Sequence, residues 1–295
     1  MATSRVIYEH GITAQVIGSD WHIINIGGGR TEKIEHPGII AQRYNVRPVV
    51  VTQSEGEIDI LLRTAVQDPF GIKIANWEER AHKTIPDLKL DKIFNTAYLL
   101  QAIEYHCKQL ALLCLEACVQ MRKTSDIPGS SFSNSDKVMF TGVGEVYFEF
   151  DALITAVRRT YDSCRYLLWH FFGAKGTVPR SFHLTLDNCP ALPEKFKISL
   201  NESWLKYGEE ITAYRDCIQH YVPIDYGRSS LIMKKLDNES WSTHALMPDN
   251  PSARSRSKFV YAGQRDALTY GWEAANEVLE VATSIIETFL WRSNQ

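Results

Sequence analysis

Arg215, Asp216 and His220 are the residues of this chain whose types and spacing could do chemistry. They stand in Arg215-Asp-Cys-Ile-Gln-His220, inside a stretch from Glu202 to Pro223. Ile211, Tyr214, Ile218 and Tyr221 or Val222 recur there at helical spacing, and Pro223 stops the run. Residues five apart on a helix differ by about 140° around its axis. Arg215 and His220 therefore occupy flanking faces, and only the long arginine can reach across. Asp216 and His220 are four apart and share a face. The carboxylate could hold the imidazole in one tautomer and stabilise its cation. Two such helices meeting across a two-fold axis would gather two arginines and two histidines in one cationic slot. That chemistry suits RNA cleavage without a metal. The ribose 2′-hydroxyl attacks the adjacent phosphodiester, His220 moves the proton, and Arg215 stabilises the phosphoryl oxygens through a bidentate geometry that lysine cannot copy.

The spacing alone is common, since Arg5 with His10 and Arg165 with His170 repeat it. The first pair lies in a strand-like stretch and the second has large apolar spacers. The plain alternative for Arg215 is a pair with Asp216, Glu209 or Glu210, with His220 merely capping its helix. No His, Cys or carboxylate cluster has metal-ligand spacing, so neither a metal nor another cofactor is expected. Gly27-Gly28-Gly29 could cradle a phosphate, but no Lys-Ser or Lys-Thr follows, and a flexible turn fits better. Arg254, Arg256 and Lys258 form a short basic loop, a candidate contact for an RNA backbone, though a solvated hairpin end is the plainer reading, since charge runs are usually solvated. Tyr226, Tyr261 and Tyr270 could stack on bases or fill the core.

The elements that must position these residues follow from the apolar patterns. The chain has 295 residues, 44% hydrophobic and 23% charged, with a net charge of -3, which excludes a global basic field. Residues 1–90 read as a β-rich subdomain, with strand candidates at Arg5, Thr13, Trp21, Val49 and Glu57 and an amphipathic segment from Trp77 to Lys83. Residues 91–295 read as a helical bundle. Long helices are predicted over about 91–123, 145–172, 198–222 and 264–291, with a Ser-rich loop at 125–136 and a three-proline loop at 174–194. Gly173 stands where a helix C-terminal cap is favoured. A β-hairpin insertion, about 226–262, turns at Asp237-Asn238. The fold class is thus α+β. None of the six cysteines forms a Cys-x-x-Cys pair, and they read as reduced core residues of a cytoplasmic protein. No apolar run is long enough for a membrane span.

A helical bundle with Arg215-Asp216 and His220 near the end of its third helix resembles the HEPN superfamily, whose similar motif is Arg, a polar residue, three to five others, then His. The stretch Glu149-Phe-Asp-Ala-Leu-Ile-Thr-Ala-Val-Arg-Arg-Thr-Tyr-Asp162 and the Ile211–Tyr221 helix with its following hairpin are also similar to HEPN-like proteins. The resemblance covers about residues 90–295 and leaves the first 90 unexplained. It implies a metal-independent endoribonuclease, usually a homodimer, common among toxin–antitoxin and antiviral-defence effectors, with an antitoxin or defence-system partner. It implies that Arg215 and His220 are catalytic and Asp216 is the polar second position. Tyr221 departs from members that place a tyrosine two residues after the histidine. A non-catalytic nucleotide-binding or protein-interaction module is the alternative within the same superfamily.

Overall fold

The computed structural model describes residues 5–8, 13–17, 20–26, 30–34, 48–52, 71–84, 90–125, 137–227, 229–237 and 240–293. The β-rich start forms β1 (Arg5–Tyr8), β2 (Thr13–Ile17), β3 (Asp20–Ile26), β4 (Arg30–Ile34) and β5 (Pro48–Thr52). They make an antiparallel sheet in the order β4-β3-β2-β1-β5, with Val6 opposite Ala14 and Ala14 opposite Ile23. The strand expected at Glu57 and the triple glycine lie outside the described residues.

Helix α1 (Gly71–Thr84) precedes residue 90 yet packs on the bundle. Its Trp77 is buried, and the indole Nε1 donates to the Ala282 carbonyl at 2.9 Å. The bundle itself follows the predicted periods closely. Helix α2 (Leu90–Ser125) buries Ile93, Leu100, Cys107 and Leu110. Helix α3 (Gly144–Phe172) packs along it and buries Phe150, Leu153, Val157 and Tyr161. Gly173 does end α3, but not in a left-handed conformation: its φ is -75°. A side chain is excluded there because a Cβ would lie 2.4 Å from the Trp169 carbonyl oxygen. The final helix, α7 (Ala267–Ser293), starts at Asp266, whose Oδ2 accepts from the Thr269 backbone N–H at 2.8 Å. Asp266 Oδ1 accepts from Ala245 N–H at 2.9 Å and ties this helix start to the hairpin.

Three details differ from expectation. The proline-rich loop contains a short helix, α4 (Phe182–Asp187), capped by the Ser181 hydroxyl. The hairpin strands β7 (Leu231–Asp237) and β8 (Ser240–His244) flank the expected turn, but a third strand, β6 (Lys137–Phe140), pairs antiparallel with β7. The Thr243 hydroxyl on β8 donates to the Cys114 carbonyl at 2.9 Å and lies beside the Cys118 thiol, binding this small sheet to α2. All six cysteines are buried. No described helix is long and apolar enough to cross a membrane.

The third predicted helix is two helices joined by a wide turn: α5 (Glu194–Ser203), a π-helical turn over Trp204–Gly208, and α6 (Glu209–His220). The cause is local packing. Trp204 stacks on Phe182 at 5.3 Å and meets Tyr161 edge-on at 5.4 Å. A Cβ at Gly208 would sit 2.2 Å from that indole. Only glycine lets the backbone pass this close. Gly208→Ala should therefore push Trp204 out of its aromatic nest and lower stability by about 1–3 kcal/mol. Urea unfolding monitored by tryptophan fluorescence should show an earlier midpoint; an unchanged midpoint would refute the packing cause.

Candidate functional site

Helix α6 is fixed by its inner face. Ile211, Tyr214 and Cys217 are buried. The Tyr214 hydroxyl donates to the Pro248 carbonyl at 2.5 Å. Glu210 grips Arg265 through two bonds of 2.5 and 2.8 Å, and the Arg265 guanidinium lies 4.8 Å from the Tyr270 ring centre. Tyr270 is thus part of the helix clamp, not a surface for a ligand. Burial raises the Tyr214 hydroxyl well above its ordinary range, with Arg265 opposing the shift, so it acts as a neutral donor.

The outer face carries the predicted residues. The Arg215 side chain is 34% exposed, and its guanidinium pairs with Asp216 at 2.5 Å. Asp216 therefore serves the arginine, and the carboxylate–imidazole contact with His220 is not formed. The helix stops as Tyr221 N–H and Val222 N–H both donate to the Cys217 carbonyl, at 2.9 and 3.1 Å. His220 is exposed at that end and meets the Tyr221 ring edge-on at 6.4 Å. Arg254 folds over the same tyrosine: its guanidinium lies 4.8 Å from the ring centre and donates to the hydroxyl at 3.0 Å. Its backbone is left-handed, φ 53°, at the end of a 3₁₀ turn (Pro251–Ala253) that packs on α6. The structure thus brings His220, Tyr221 and Arg254 together, with Arg215 further up the same helix.

Arg256 and Lys258, on a second 3₁₀ turn (Arg256–Lys258), behave differently. Arg256 is an anchor, ion-paired to Asp225 at 2.6 Å. The Asp225 side chain is only 8% exposed, and its other oxygen accepts from Ser229 N–H at 2.5 Å and the Ser229 hydroxyl at 3.0 Å. Lys258 is exposed. Tyr226 and Tyr261 pack on one another, ring centres 5.0 Å apart, beside this anchor.

Asp151, on the first turns of α3, escaped the sequence reading. It borders a cleft of about 350 Å³ between α3 and the segment leaving α6, lined also by Phe148, Ile224, Asp225 and Arg256. Its Oδ1 is buried and, among the described residues, has no hydrogen-bond donor. Burial, and then the nearby Asp225 charge, push its carboxyl up to about 7. One signal was visible: an acid set between Phe150 and Ala152 on a helix otherwise rich in apolar residues. Its partner in charge, Asp225, is near only in space.

Among the described residues, no group of three or more His, Cys, Asp and Glu is arranged to hold a metal ion. Compared with protein-family models, curated proteins and solved structures, the chain matches none.

The folded chain keeps the Asp151 proton up to about pH 7, whereas an unfolded chain releases it near 3.8. Stability should therefore fall as pH rises through that window. The charged groups of the adjoining clefts are Asp225 with Arg256, His106 with Glu149, and Arg159. Asp151→Asn removes the Asp151 titration while leaving these. Thermal unfolding at about pH 5 and about pH 8 should show wild type losing melting temperature relative to the variant at the higher pH; parallel behaviour would refute the buried neutral carboxyl.

Proposed function

We propose that this protein is a metal-independent endoribonuclease of the HEPN type, cleaving RNA at the outer end of α6. The observation that carries the proposal is the outward presentation of Arg215 and His220, with Arg254 docked on Tyr221 beside the histidine. None of these side chains is spent in the core. In the proposed reaction, the ribose 2′-oxygen attacks phosphorus and the bond from phosphorus to the 5′-oxygen breaks. His220 moves a proton, from the attacking hydroxyl or to the leaving oxygen, and Arg215 stabilises the charge gathering on the phosphoryl oxygens. Asp216 holds the guanidinium at the surface until phosphate displaces it. A second copy of the chain would set a second Arg215 and His220 opposite the first, and the protein would act as a homodimeric toxin or defence effector restrained by a partner.

The contrasting reading is a non-catalytic binding module. The Arg215–Asp216 pair and the missing Asp216–His220 contact favour it, because neither leaves the imidazole oriented. Cleavage decides between the two. Purified protein incubated with total RNA and excess EDTA should degrade it, and Arg215→Ala and His220→Ala should each lower the rate by roughly 10²–10⁴-fold, the range of a lost acid–base group. Cleavage that EDTA abolishes, or that survives both substitutions, would overturn the proposal.

A further inference from the structure

The cleft at Asp151 is not isolated. It continues along α3 against α2 as two more clefts. The second, about 350 Å³, shares Asp151 and is bordered by Tyr98, His106 and Arg159. The third, about 520 Å³, shares Arg159 and is bordered by Asn95, Ser163, Arg165 and Tyr166. Phe148 and Tyr166 mark the two ends on α3, 18 positions apart, or about 27 Å at the helical rise.

Each cleft holds one exposed aromatic ring, beside Arg256 in the first, Arg159 in the second, and Arg159 and Arg165 in the third. Phe148 is 69% exposed and Tyr98 64%, so most of each side chain faces solvent along the groove. Three of the acids along the groove are already engaged. Glu149 bonds His106 at 2.5 Å, Asp162 pairs with Arg158 at 2.7 Å, and Asp225 pairs with Arg256. Arg159 is exposed and, among the described residues, has no carboxylate within ion-pair distance. Asp151 presents a buried oxygen without a donor among the described residues at the junction of two clefts. Rings spaced along a groove, an exposed guanidinium and a buried carboxyl oxygen together match the needs of single-stranded nucleic acid: faces to stack on, a phosphate partner, and a polar group for a base edge.

We propose that the α2–α3 groove binds single-stranded RNA, with Phe148 and Tyr98 stacking on bases, Arg159 holding a phosphate and Asp151 meeting a base edge between them. The proposal rests on the ribonuclease reading for its choice of RNA, since the first cleft is bordered by Ile224, just beyond the α6 end that carries His220. A helical peptide is disfavoured because the third cleft is lined by Asn95, Asp162, Ser163 and Arg165, whereas a docked amphipathic helix needs an apolar floor.

Binding must be read apart from cleavage. A fluorescent single-stranded RNA of about a dozen nucleotides, 2′-O-methylated so that no 2′-hydroxyl can attack, is titrated by anisotropy against the full chain. Wild type should bind, and Phe148→Ala should weaken binding roughly ten- to a hundredfold. Arg159→Ala should weaken it and reduce the salt slope by about 0.7, one phosphate's share on a single strand. Asp151→Ala should weaken binding, while Asp151→Asn, which keeps a donor and an acceptor, should restore most of it. Circular dichroism confirms that each variant folds. No binding, or binding indifferent to Phe148→Ala and Arg159→Ala, overturns the inference and leaves the groove to a peptide. Groove-dependent binding by a protein that cleaves no RNA upholds the groove and defeats only the nuclease reading.

Discussion

The clamp of Glu210 and Tyr214 on Arg265 sets what α6 can offer to solvent. Arg265 is held by two carboxylate bonds and lies against two aromatic rings, so its charge is met by the protein's own groups. A half-buried pair of this kind adds little net stability but strongly penalises any rotation that would break it. With Ile211, Tyr214 and Cys217 turned inward by that clamp, Arg215, Asp216 and His220 have only the outer face left. The clamp also decides a pairing that the sequence leaves open. Of the acids near Arg215, Glu210 is occupied by Arg265, and Asp216 takes the arginine.

A second buried charge organises the ground beside α6. Asp225 gathers Ser229 and Arg256 around one carboxylate, which fixes both the start of the hairpin and the 3₁₀ turn behind Arg254. Of the three basic residues of that loop, one is consumed by the fold, one faces the histidine's neighbour, and Lys258 alone stands off at the surface. The same carboxylate adds to the burial that raises the Asp151 carboxyl to about 7. Charge placed for structural reasons thus tunes an acid in the adjoining cleft.

The long helices were legible because their apolar residues keep a 3.6-residue period over many turns, as Ile93, Leu100, Cys107 and Leu110 do on α2. The hairpin was legible from Asp237-Asn238 between two alternating runs. Strand β6 was not: Lys137-Val-Met-Phe140 is too short to signal itself, and its partner β7 is remote in sequence. The π turn was hidden as well, since it depends on Trp204 finding Phe182 and Tyr161 in space. Arg215 and His220 could be singled out by type and spacing, but that both reach solvent is seen only in the folded chain. Asp151 shows in the sequence only as an acid between Phe150 and Ala152, because desolvation and the approach of Asp225 are properties of the folded chain alone.

The chemistry at α6 is tested most directly by the ends of the RNA fragments it releases. Attack by the 2′-hydroxyl requires a 2′,3′-cyclic phosphate on one fragment and a 5′-hydroxyl on the other. End-group analysis of a defined oligonucleotide by mass spectrometry should find that pair. Fragments ending in 3′-hydroxyl and 5′-phosphate would mean that water, not the ribose, is the nucleophile, and would contradict the roles given to Arg215 and His220.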